Sequence, residues 1–271
     1  LFAKNYSHQA TFSENAHLNE LVQESDFMKR ICTFFVATLT AALTLSAASN
    51  SYAQAPSAQL TYVLKQLDTA SAKFQRATAS LQWDIYEKVV HDTTTQKGIV
   101  YFEREKSSTD MGIVFVDPNA GPKSKPTKVI QYQAGTLQMF DPGVDQITVL
   151  HESSNQDEIE SFLTLGFGGS GADLARAWTI TDLGPDTLSD NGQPVKVEKL
   201  DLVGKSADAR KNFTHITIWI DPTRAVSLKQ IFYSASGDYR TTTYSSIKAN
   251  GNVHKDEFAI KKDKNTTIVN K

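Results

Sequence analysis

VIQYQAGTLQMFDPGVDQITVL, Val129 to Leu150, decides the fold of this 271-residue chain. It reads as three short strands with two tight connections. Ile130 and Tyr132 lead into Ala134-Gly135, where glycine takes the positive φ of a hairpin turn. Leu137, Met139 and Phe140 follow, then Asp141-Pro142-Gly143, in which proline presets φ and glycine relieves strain. Ile147, Val149 and Leu150 bring the chain back. Two consecutive hairpins make a meander, the unit of an antiparallel sheet. The flanking sequence is therefore more of that sheet, or its cover.

Upstream, Ala58 to Ala77 places Leu60, Val63, Leu64, Leu67 and Phe74 at helical spacing, which makes one apolar side on an amphipathic helix. From Leu81 the period becomes two: Leu81, Trp83 and Ile85 alternate with Gln82, Asp84 and Tyr86. Ile99 to Arg104 and Met111 to Val116 read as further strands. Asp117 to Thr127 holds three of the chain's eight prolines and is a loop, not a domain boundary, because too few strands precede it to form a core. Downstream, Glu158 to Phe167 turns helical, Gly166 to Gly171 breaks that helix, and Ala172 to Trp178 forms another turn or two. Trp178–Leu183, Val195–Val203, Phe213–Ile220, Val226–Ser234 and Tyr239–Ile247 resume strand character, with Asp190-Asn191-Gly192 as a hairpin signal. Phe258 and Ile260 are read as a last short strand. The fold expected is mainly β with a few helices (α+β): about ten or eleven antiparallel strands, more than an open sheet carries without strong curvature.

Composition narrows the function. The net charge of −2 argues against nucleic acid as a partner. A single cysteine, Cys32, excludes a disulfide framework and a Cys-based metal site. Met28-Lys29-Arg30, an uncharged run from Ile31 to Ala48 and Ser51-Tyr52-Ala53 follow the order of a secretory signal. A run of about 18 residues can also just span a bilayer, but four threonines and an Ala-rich tail favour cleavage before Gln54. Residues 28–53 are thus read as a signal peptide, 1–27 as an upstream non-native or disordered extension, and 54–271 as one exported, soluble domain. With 1–53 removed, 25 basic residues face 26 acidic ones.

Catalytic motifs give way to plainer readings. Gly166-Phe167-Gly168-Gly169-Ser170-Gly171 satisfies G-x-G-x-x-G, yet a dinucleotide site needs a strand before it and a βαβ unit around it. No GK[ST] and no G-x-S-x-G occur. His151, Glu152 and His215 lack matching ligands, so no metal and no cofactor is expected. Asp157, Glu158 and Glu160 complement a helix dipole rather than forming a catalytic pair. The chain is not read as an enzyme.

Three segments resemble the periplasmic outer-membrane lipoprotein carrier family (LolA-like, lipoprotein-sorting proteins). They are Gly135-Thr136-Leu137 through Phe140-Asp141-Pro142 to Gln146; Thr217-Ile218-Trp219-Ile220-Asp221-Pro222 with Leu228-Lys229-Gln230 and Gly237; and the helix ending near Phe74-Gln75 with its following strand pair. The likeness runs over nearly all of residues 57–262. It implies an incomplete antiparallel β-barrel, a half-barrel capped by helices, that shields acyl chains of lipoproteins or other lipids during transfer towards the outer membrane. It implies a periplasmic monomer working between an inner-membrane donor complex and an outer-membrane receptor. The alternatives are an envelope sensor of lipid or protein with the same fold, and third, a periplasmic hydrolase. The lining expected is Trp83, Ile85, Tyr101, Leu137, Met139, Ile147, Val149, Ile216, Ile218 and Ile220, with Leu163, Leu165 and Phe167 closing over it. Arg104 falls where the family has an arginine that latches a helical lid, although Glu105 stands where the family has proline. Gly166, Gly168, Gly169 and Gly171 are the expected lid hinge.

Overall fold

The computed structural model describes residues 57–105, 108–117, 119, 125–151, 165–253, 256 and 258–270. The upstream extension, the signal peptide, Leu163 and the helix expected from Glu158 lie outside or mostly outside these residues. Helix α1 spans Ala58–Ser71. Strands β1 (Arg76–Glu87), β2 (Asp92–Glu105), β3 (Ser108–Val116), β4 (Lys128–Gln133), β5 (Thr136–Asp141) and β6 (Gln146–His151) follow. Helix α2 (Gly171–Ala177) precedes β7 (Trp178–Asp190) and β8 (Gln193–Gly204), and α3 (Ala207–Asn212) precedes β9 (His215–Asp221). Strands β10 (Val226–Tyr233), β11 (Tyr239–Ala249) and β12 (Thr267–Asn270) complete the chain.

The twelve strands of the described residues form one open sheet in the order β12-β6-β5-β4-β3-β2-β1-β11-β10-β9-β8-β7. Every pairing is antiparallel except β12 against β6. The opening meander is β4-β5-β6, and its first turn has positive φ at both Ala134 and Gly135, the pattern of a type I′ hairpin. Asn191-Gly192 turns the same way between β7 and β8. The strand count exceeds the expected ten or eleven because β12 adds a short parallel strand at the β6 edge. Phe258 and Ile260 are not in it.

The sheet curls without closing. Strand β7 lies four places from β11, about 19 Å along a flat sheet at 4.8 Å per strand. Yet the Asp190 carboxylate at the end of β7 accepts from the Ile247 amide of β11 at 3.3 Å and from Arg224 at 3.0 Å. Register breaks at Thr78/Ser80, Asp182/Pro185 and Ser227/Lys229 add local bend. Gly98 serves the same end: a Cβ there would stand 2.4 Å from the Val114 carbonyl oxygen, so only glycine lets β2 and β3 approach this closely.

Helix α1 lies on the inner face of the curl. Ser57 caps it, accepting from the Leu60 amide at 2.9 Å, and Leu60, Val63 and Leu67 are buried. The helix ends at Ser71, six residues before the expected end, because Arg76 already pairs with Glu103 of β2. Phe74, in the turn between, stays buried. Asn250 fastens that turn by accepting from the Gln75 amide (2.8 Å) and donating to the Lys73 carbonyl (3.0 Å).

Candidate functional site

Directly paired residues in an antiparallel sheet share a face. One such row runs Gln96, Trp83, Thr242, Gln230, Ile218 and Leu200 across β2, β1, β11, β10, β9 and β8. The rows beside it bring Ile85, Leu81, Tyr244, Phe102, Ile216, Ile220 and Leu202 to the same side. Leu137 and Met139 join through Tyr132 and Ile130 of β4 and Met111 and Ile113 of β3. This is the inner face. Its centre is fully covered: Leu200, Leu202, Ile216 and Ile218 are 0% exposed.

Three of the expected lining residues are elsewhere. Tyr101 pairs with Gly112, and Ile147 and Val149 pair with Phe140 and Gln138; all three stand on the outer face. The alternation of β2 explains Tyr101, since its neighbours Val100 and Phe102 take the inner side. Tyr101 stacks on Phe258 at 5.1 Å and donates to Glu103. Burial, then that hydrogen bond, push its ionisation above the ordinary tyrosine range. On β6, the inner positions are Thr148 and Leu150.

The cover beyond α1 is a short strap, Leu165 to Ser170. It is non-helical, as expected where Gly166 to Gly171 break the helix. Phe167 forms a single antiparallel bridge to Val226, flanked by the Ser227 amide donating to the Gly166 carbonyl (2.5 Å) and the Gly168 amide donating to the Ala225 carbonyl (2.8 Å). Gln230 reaches up from the sheet to donate to the Leu165 carbonyl. The Phe167 ring stacks on Phe102 at 4.2 Å and meets Tyr244 edge-on at 4.8 Å. Full burial raises the Tyr244 phenol well above its ordinary range, so it stays neutral under the strap. Tyr244, Phe102 and Gln230 were absent from the expected lining. The pairing of β1 with β11, which no local pattern reports, puts Tyr244 there.

Arg104 joins the strap to the helix. One guanidinium nitrogen donates to the Ser71 carbonyl at 2.7 Å; the other donates to the Gly168 carbonyl and to the Ser71 hydroxyl. Ser71 in turn donates to the Gly168 carbonyl at 2.6 Å. The guanidinium also lies 5.8 Å from the Phe74 ring centre. Gly168 has φ +71°, and a Cβ there would fall 2.3 Å from Phe74. Gly166 likewise has positive φ, Gly169 continues the strap, and Gly171 opens α2 directly against the Leu64 backbone. Glycine freedom here is used for close docking.

At the other end of α1, Gln59 donates to Glu198 and Ser57 donates to Asp182, each at 3.4 Å. Glu198 is buried, and one of its oxygens lacks a partner. Burial first, then the Asp182 carboxyl beside it, hold Glu198 above the usual glutamate range, while Gln59 opposes the shift. On the outer face, His215 bonds Asp201 at 2.7 Å and stacks on Tyr233. Trp219 donates to Asp186 at 2.8 Å, with Lys199 and Lys229 over its ring. Among the described residues no three His, Cys, Asp or Glu side chains gather as a metal site, and no helix is long and apolar enough to cross a membrane.

No protein-family model and no curated protein matches the chain. The fold is similar to an uncharacterized conserved protein from Thermus thermophilus (10% identity, TM-score 0.47, 79% of this chain and 99% of that one). It is similar to a putative outer membrane lipoprotein-sorting protein domain from Vibrio parahaemolyticus (11%, 0.39, 73% and 97%) and to a LolA superfamily protein from Nitrosomonas europaea (13%, 0.36, 74% and 97%).

Proposed function

We propose that the chain is an exported carrier that shields acyl chains of lipoproteins, or of other lipids, between its curled sheet and its strap, on the way to the outer membrane. The observation that carries this is the strap itself. An apolar segment, Leu165 to Phe167, lies over an apolar inner face and is held by a few hydrogen bonds at Gly166, Gly168 and Leu165. Lifting it about the Gly166–Gly171 stretch exposes Ile216, Ile218, Phe102 and Tyr244. An acyl chain entering there gains about 0.8 kcal/mol per buried methylene, so a modest contact length offsets the lost strap contacts. Leu163, outside the described residues, belongs to the same lid in this reading. Donor and acceptor proteins at the two membranes complete it.

The test uses a fluorescent fatty acid. Ile218→Glu places a carboxylate at a fully buried position, which is costly without a partner, and is expected to abolish probe uptake. Lys248→Glu, at an exposed position of β11, is expected to leave uptake unchanged. Because Ile218→Glu also strains the core, Phe167→Ala is measured beside it and is expected to speed uptake. A wild-type chain with an intact sheet by circular dichroism that takes up no probe and carries no lipid overturns the carrier reading.

A further inference from the structure

The inner face is not uniformly apolar. In the row that faces the strap, Leu81 stands between Gly98 and Tyr244, and Tyr244 meets the Phe167 ring edge-on at 4.8 Å. The next row, about 7 Å further along the strands, holds Gln96, Trp83 and Thr242. The Trp83 ring stacks on Phe115 at 5.6 Å, and the Arg240 guanidinium lies 4.6 Å from its centre, so the indole is held in place. Trp83 and Gln96 are opposed in register on β1 and β2. Trp83 Nε1 and Gln96 Oε1 are both buried without a hydrogen-bond partner. The two strands thus present one unmet donor and one unmet acceptor on the same face.

Charge does not decide what completes this pair. Arg240 has interactions of its own, and Glu87 and Asp92 face the same side one row beyond it, so the ionised groups of this region offset one another. Hydrocarbon does not complete the pair either. Indole Nε1–H only donates and the amide oxygen only accepts, and a buried donor or acceptor left unmade is destabilising. A carboxylate or phosphate serves the indole but sets its negative oxygens against the amide oxygen. A neutral group that both accepts and donates, a carboxamide or a hydroxyl, satisfies the two atoms together. We propose that Trp83 and Gln96 form a station for such a group, carried by an amphiphile whose acyl chain lies under the strap. The assignment rests on the carrier reading and sharpens it: the cargo's chain is joined to an uncharged group that donates as well as accepts, and that group is held inside the fold.

The experiment displaces diphenylhexatriene, a fluorescent hydrocarbon without hydrogen-bonding groups, from the purified chain. The competitors are hexadecanamide and hexadecanol, which accept and donate, and methyl hexadecanoate, which only accepts. Each affinity is compared between variants, so that the ligands' different solubilities cancel. Gln96→Leu removes the acceptor and is expected to weaken the amide and the alcohol by about fivefold to tenfold, the range of one neutral hydrogen bond, and to leave the ester unchanged. Trp83→Phe keeps the stack, loses the N–H and is expected to weaken all three competitors by a similar factor. Neither substitution is expected to change binding of diphenylhexatriene itself. Of amide and alcohol, the one that loses more on Gln96→Leu is the better fit. If Gln96→Leu weakens no competitor, water serves these atoms equally well and the station is overturned, while the carrier stands. If it weakens the ester as much as the amide, Gln96 donates rather than accepts, and the assignment of a donating group fails. If either substitution weakens the hydrocarbon probe as well, the residues only support the fold, which also overturns the station. Binding of no probe and no amphiphile by the wild type overturns both readings.

Discussion

Single side chains decide how the inner face is closed. Glu198 is the clearest case, because its environment favours the protonated acid. Burial and the neighbouring Asp182 raise its pKa from the ordinary 4.5, so the folded chain keeps a proton that the unfolded chain releases. Stability from this group is full below 4.5 and is lost as pH rises through the raised value. Glu198→Gln retains a side chain that can bond Asp182 without a proton. The expected outcome is a variant whose stability relative to wild type improves as pH rises from 4.5 through the raised value and then levels off, read from urea midpoints at several pH values. An offset that stays constant with pH removes Glu198 as the proton site.

Among the elements, the strap and α1 depend on one another through Arg104. The three donor contacts of its guanidinium converge on Ser71 and Gly168. Arg104→Leu leaves the β2 ladder intact and frees both carbonyls, at about 1.5–3 kcal/mol for a hydrogen bond to a charged group. Uptake of the fatty-acid probe is expected to become about tenfold faster while the circular dichroism is preserved; unchanged kinetics would remove Arg104 from the gating step. Much of this scale was legible beforehand. Ala134-Gly135 and Asn191-Gly192 announced their hairpins through turn chemistry, and Leu60, Val63 and Leu67 announced the buried side of α1. Of the helix expected over Glu158–Phe167 only the last three residues are described, and they belong to the strap. Tyr101 stands on the outer face because it alternates with Val100 and Phe102, which the pairing of β2 with β1 and β3 turns inward. Trp83, Gln96 and Arg240 come from three strands, and only the docking of β11 on β1 makes them neighbours.

For the molecule as a whole, the C-terminal segment ties the interior strand β11 to the β6 edge of the sheet. From β11 it crosses the outer face, where Phe258 packs on Tyr101 and against Gly112, and reaches the β6 edge as β12. Thr266 and the Thr267 amide each bond Asp145 at 3.0 Å to start that strand. Phe258→Ala removes a buried ring from this path, a change that typically costs about 3–5 kcal/mol. The expected result is a melting temperature lower by roughly 10 °C, with the amides of residues 267–270 losing hydrogen-exchange protection first. Protection that falls evenly over the whole sheet would argue against a separate tying role.

The sheet order also sets a sequence of events in time. Strands β1 to β6 and strands β7 to β11 are two runs of neighbouring hairpins, each able to zip from local contacts. They meet at one seam, β1 against β11, where Tyr86 must find Tyr239 and Ala77 must find Ala249. Such distant pairing is slow, because the entropy of closing a long loop is lost before any contact compensates it. The seam is also where Trp83 meets Arg240 and where Tyr244 comes to lie under the strap. A growing chain therefore cannot bring Tyr244 under the strap until its eleventh strand has been made.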